Sequence, residues 1–81
     1  MVLRSLKKAS ISVYPNPASD VVYVNAPVKT ILSLTEMSGR LLLPSTQSKQ
    51  LLIKSLAPGV YLLHIADVDG RKVKTEKIVR Q

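Results

Sequence analysis

At 81 residues without a cysteine, the chain makes one small domain that has no disulfide to reinforce it and no thiolate for nucleophilic or metal chemistry. Twelve Lys and Arg against five Asp and Glu give a formal charge of +7, which suggests an acidic partner or serves solubility alone, and no apolar run reaches the ~18–20 residues of a membrane-spanning helix. A domain of this size buries only about 60–65% of the surface its unfolded chain exposes, so its stability margin is thin.

Residues 1–9, "MVLRSLKKA", are basic but lack the apolar stretch of a signal peptide. They are expected to be a linker remnant from something upstream, with the domain over residues 10–81. From there on, short apolar runs alternate with turn signals every ~8–12 residues, the mark of a sandwich or barrel. Seven strands are predicted. The first covers residues 11–14 and ends at Pro15. The second covers 20–25, with Val22 and Val24 on one face and Val21 and Tyr23 on the other. The third covers 28–35, where Thr30, Leu32 and Leu34 share a face, and Ser38-Gly39 marks the turn after it. The fourth covers 40–43; Pro44 stops it and a polar loop over 45–48 follows. The fifth covers 49–54 and is closed by Leu56-Ala57-Pro58-Gly59. In the sixth, 60–67, Tyr61, Leu63 and Ile65 face one way and Val60, Leu62, His64 and Ala66 the other. Asp69-Gly70 predicts a two-residue type I′ hairpin turn with positive φ at both positions. The seventh strand covers 71–80. All five prolines then fall between strands, where a missing N–H breaks no ladder. No internal repeat is evident.

Seven short antiparallel strands predict an all-β, immunoglobulin-like β-sandwich. The paired Cys and Trp of antibody domains are absent, so Val, Leu and Ile must supply the core, at about 1.5–3 kcal/mol for each side chain buried.

Catalysis has little to stand on. The single histidine, His64, lies mid-strand beside Ala66, the place of a structural histidine rather than a general base. Asp67 and Asp69 sit at a turn without the later ligands of a calcium loop. No phosphate loop or nucleophile elbow is present. The chain is expected to be no enzyme and to need no cofactor or metal. Tyr14, Tyr23 and Tyr61 are the only aromatic residues, which gives little for stacking on sugars. Arg71, Lys72, Lys74, Lys77 and Arg80 have no aromatic neighbour on the last strand, so nucleic acid is not an expected partner. Lysines of this kind guard an edge strand against aggregation. An extended basic edge strand can also be read by another protein through added main-chain bonds. Open edges in a small sandwich permit a strand-exchanged dimer as well.

The segment Tyr14-Pro15-Asn16-Pro17 predicts a stiff corner between the first two strands. Each proline fixes φ near −65° and biases the residue before it toward extended geometry. The Asn16 side chain is left to bond backbone nearby.

Taken in order, "VYPNPASDVVYV", "SGRLL", "LAPGVYLLHI" and "DGRKVKTEKIVRQ" resemble the C-terminal sorting domain of cargo proteins of the type IX (Por) secretion system of Bacteroidetes, over residues 11–81. The resemblance implies an immunoglobulin-like domain at the end of a larger exported protein. It implies recognition by an outer-membrane translocon once the parent is in the periplasm. A cell-surface sortase then removes the domain, with the cut falling near residues 1–9, and joins the parent to anionic lipopolysaccharide at the outer-membrane surface; some members keep the domain. Carried onto this chain, recognition falls on Gly70, Lys74, Lys77, Ile78, Val79, Arg80 and Gln81, and the structural motif positions are Tyr14, Pro15, Asn16, Pro17, Gly39, Gly59 and Tyr61. Glu36-Met37-Ser38-Gly39 departs from the Asp and Asn often found before that glycine. Deletion of residues 77–81 is expected to block export more than it lowers stability. The alternative is an extracellular adhesion or carbohydrate-binding sandwich, which needs an exposed aromatic face.

Overall fold

The computed structural model describes residues 11–81 and forms two antiparallel sheets from seven strands: β1 (Ser12–Tyr14), β2 (Val21–Asn25), β3 (Ile31–Glu36), β4 (Leu41–Gln47), β5 (Gln50–Leu52), β6 (Gly59–Ala66) and β7 (Lys72–Arg80). One sheet has the order β1-β2-β5 and the other β4-β3-β6-β7. This is the expected all-β sandwich. The expected linker at residues 1–9 lies outside the described residues.

Alternation along the strands builds the core. Val22 and Val24 of β2, Leu32 and Leu34 of β3, and Tyr61, Leu63 and Ile65 of β6 all point inward and are buried, as their two-residue spacing predicts. Ile53 after β5 and Ile78 of β7 complete the interior, both fully buried. Val21, Tyr23, Leu62, His64 and Ala66 take the opposite faces and keep solvent exposure.

Three local features differ from the sequence expectation. First, β4 does not stop at Pro44 but runs through it to Gln47. Leu34 pairs with Leu43 while Leu32 pairs with Thr46, so Pro44 and Ser45 together oppose the single residue Ser33. This is a β-bulge on an edge strand, where a proline costs no ladder bond. Second, β3 starts at Ile31 rather than 28. Thr30 is buried, and its hydroxyl donates to the Ser48 carbonyl at 2.6 Å while its own carbonyl accepts the Ser48 N–H at 3.0 Å. The pair ties the connection before β3 to the one before β5.

Third, the β6–β7 hairpin is not a type I′ turn. Gly70 has φ 89°, and no residue other than glycine has positive φ among those described, so Asp69 is not left-handed. Asp67 N–H donates to Arg71 O at 2.9 Å and Gly70 N–H to Asp67 O at 3.0 Å, which closes a three-residue loop with glycine at its last position. The Asp67 carboxylate then accepts from the Asp69 and Arg71 amides, each at 3.0 Å. The β3–β4 hairpin repeats this design. Glu36 N–H donates to Arg40 O, Gly39 N–H donates to Glu36 O, and Gly39 has φ 97°. Glu36-Met37-Ser38-Gly39-Arg40 and Asp67-Val68-Asp69-Gly70-Arg71 are thus one short pattern used twice, acid-x-x-Gly-Arg.

No atom lies within 4 Å of a Cβ built on Gly70, so the cost of a side chain there is purely conformational. Gly70→Ala is expected to lower stability by about 1–2 kcal/mol in urea unfolding, and Gly70→Asn by less, because asparagine tolerates the left-handed region. Equal stability of the alanine variant and the parent chain overturns the turn assignment.

Candidate functional site

The terminal strand β7 carries most of the residues expected to be recognised. Lys77 and Gln81 are exposed; Lys74, Val79 and Arg80 are half-buried. Ile78 is fully buried, so its side chain serves the core. Gly70 sits apart in the hairpin turn that precedes the strand.

The outer edge of β7 is not uniformly open. The Tyr14-Pro15-Asn16-Pro17 corner runs along its last residues. Asn16 Nδ2 donates to the Lys77 carbonyl at 3.0 Å, and Asn16 Oδ1 accepts the Val79 N–H at 3.0 Å. Ala18 N–H then donates to Val79 O, and Gln81 N–H to Ala18 O, both at 2.8 Å. The backbone partners of Asn16 are 61 and 63 residues away in sequence, not nearby. The physical reason is the pair of prolines. They have no N–H to offer a strand edge, so the side-chain amide of Asn16, donor and acceptor together, stands in for the missing backbone pair. The corner carries the chain away from β1, on the edge of the three-stranded sheet, and secures the edge of the four-stranded one.

Arg80 continues the junction. Its Nε donates to Ile53 O at 3.1 Å and its Nη2 to Lys54 O at 2.9 Å, while Nη1 bonds Gln81 O. Close by in register, Gly59 faces Arg80 across β6 and β7. Tyr61 closes the same loop region by donating its hydroxyl to Ala57 O at 2.5 Å. The predicted motif residues Asn16, Gly59 and Tyr61 and the predicted recognition end thus come together. Tyr14 points elsewhere, stacked on Tyr23 with ring centroids 5.6 Å apart. Ala18, Ile53 and Lys54, which sequence reasoning missed, contribute backbone atoms; no side-chain signal marks a backbone acceptor.

Charge gathers along the first part of β7. Lys74 Nζ lies 3.2 Å from Glu76 and also donates to Ile11 O at 3.2 Å, which ties β7 to the chain just before β1. Arg71, Lys72 and Lys77 are exposed. On the outer sheet face, the His64 ring lies between two hydroxyls, Thr35 Oγ1 at 2.8 Å from Nε2 and Thr75 Oγ1 at 3.4 Å from Nδ1. Burial, aided by the charge of Lys72, holds its pKa below the ordinary histidine value, so the ring is neutral at pH 7. It joins three strands, β3, β6 and β7. Among the described residues, no group of three His, Cys, Asp or Glu side chains is placed to hold a metal. A groove of about 430 Å³ lies on the opposite edge, between β4 and β5, lined by Leu43, Pro44, Thr46, Ser48, Leu51 and Leu52 among others and by no aromatic residue.

The chain matches the model of the secretion system C-terminal sorting domain family over residues 12–81. Comparison with curated proteins gives no match, and comparison with solved structures gives none either.

Proposed function

The chain belongs to the family of type IX secretion C-terminal sorting domains, and from this we propose that the folded domain is an address read by an outer-membrane translocon. The exported parent is carried across the outer membrane, a sortase cuts the chain before the domain, and the parent is joined to anionic lipopolysaccharide at the surface. The observation that supports this reading best is the bonding of Asn16 to both Lys77 and Val79. It makes the first and last motifs of the match one surface, so a receptor meets them only in the folded domain. The domain's part is binding, not chemistry.

The alternative, a carbohydrate-binding sandwich, draws on the stacked pair Tyr14 and Tyr23, 52% and 38% exposed. Cross-strand aromatic pairs of this kind are ordinary sheet stabilisers worth about 0.2–1 kcal/mol, and two rings make a small platform. The sorting function accounts for more of the chain. The full chain fused behind a signal peptide and a reporter, in a type IX-competent cell, is expected to bring the reporter to the cell surface or medium. Retention of a folded fusion in the periplasm overturns the proposal.

A further inference from the structure

We propose that the outer edge of β7 at Thr75 and Lys77 is a docking edge that accepts an extended, acidic strand from the translocation machinery; this rests on the sorting function above. The ladder shows which backbone groups point outward. Val79 turns both its N–H and its C=O to the corner at residues 16–18, and Lys77 turns its C=O there. Two-residue alternation continues through the unbroken pairs Leu62–Lys77 and His64–Thr75. The Thr75 N–H, the Thr75 C=O and the Lys77 N–H therefore face away from β6, and they have no backbone partner among the described residues. The corner closes the far end of the edge, and among the described residues nothing pairs with this part.

The other edges are blunted. In β5, the Ser48 hydroxyl bonds both the N–H and the C=O of Gln50. In β4 the register shifts twice and Pro44 interrupts the donors. β1 has only three residues. β7 has nine and runs from Lys74 to Arg80 without a register shift. An incoming strand finds its regular template there.

Charge selects the occupant. Arg71, Lys72 and Lys77 add three exposed positive charges to this stretch, while Glu76 faces Lys74 and the Asp67 carboxylate is engaged by the turn amides. The chain's own residues 1–10 carry Arg4, Lys7 and Lys8 and no carboxylate, so repulsion disfavours them. A carboxylate-bearing strand gains main-chain bonds and charge pairing together.

The test uses the full chain as a reporter fusion in a type IX-competent cell, with the free domain studied in parallel. Thr75→Pro deletes an outward N–H and no β6–β7 main-chain bond, a change that edge strands tolerate. It also removes the 3.4 Å contact of the Thr75 hydroxyl with His64, so Thr75→Ala, which loses only that contact, is the control and is expected to be delivered at the parent level. The proline variant is expected to stay folded by circular dichroism while surface delivery of the reporter falls about tenfold or more, the scale of losing main-chain bonds to a partner. Arg71→Glu with Lys72→Glu, both exposed, is expected to lower delivery similarly. A folded Thr75→Pro chain delivered at the parent level overturns the docking edge. If Thr75→Pro unfolds the domain, the charge-reversed variant decides: undiminished delivery overturns the proposal and reduced delivery supports it. Failure of the unmodified fusion to reach the surface instead removes the sorting function itself.

Discussion

Deletion of residues 77–81 is expected to unfold the domain rather than merely hide it from a receptor. The deletion removes Ile78, a fully buried side chain, and truncating a buried aliphatic residue costs about 2–5 kcal/mol by itself. It also removes the Val79 and Gln81 bonds to Asn16 and Ala18 and the Arg80 bonds to Ile53 and Lys54. Each is worth about 0.5–1.5 kcal/mol, and several buried or half-buried backbone groups lose their partners at once. At roughly 0.05–0.15 kcal/mol per residue, a domain of this size holds only about 4–12 kcal/mol in all. The truncated chain should show no cooperative urea transition and a disordered far-UV spectrum. A cooperative melt close to that of the full chain overturns this expectation. The structure thus reverses the balance drawn from sequence, in which truncation harms export more than stability. The recognition role of the tail is better examined at exposed positions such as Lys77, where charge can change without loss of the core.

Leu63→Ala carries the second large effect. Leu63 is fully buried in β6, opposite Leu34 of β3. Comparable substitutions cost about 2.7–5.0 kcal/mol, depending on how far the cavity collapses. In a domain of 60–100 residues each kcal/mol lowers the melting midpoint by about 4–8 °C, so a fall of roughly 10–40 °C is expected. Leu62→Ala, one residue away on the half-exposed face, is expected to cost less than half as much. Thermal unfolding of the two variants side by side checks the alternation. Equal losses overturn the assignment of faces.

The inward faces were legible because a strand's period is short and local. Val22 and Val24, or Leu63 and Ile65, declare their face by spacing alone, whatever the rest of the fold does. The glycines at turns were legible for a similar reason: φ at Gly39 and Gly70 is a one-residue property. The turn type was not, because it depends on whether Asp67 pairs with Arg71, a matter of register. Pro44 was misplaced by the same kind of ignorance. A proline ends a central strand but not an edge strand with a bulge, and edge status is set by sheet order. The candidate site was half legible. Its residues could be named from resemblance and charge. That Asn16 reaches across 61 residues to the backbone of Lys77 could not be read, because carbonyls look alike in every residue.

That long reach has a consequence for timing. Residues 16–18 leave the ribosome 61 to 63 residues ahead of the partners they bond at 77, 79 and 81. Contacts so distant along the chain form slowly and only after the loop between them is complete. The corner at residues 16–18 therefore stays unpaired until both ends of this stretch have been made, and the sandwich closes only then.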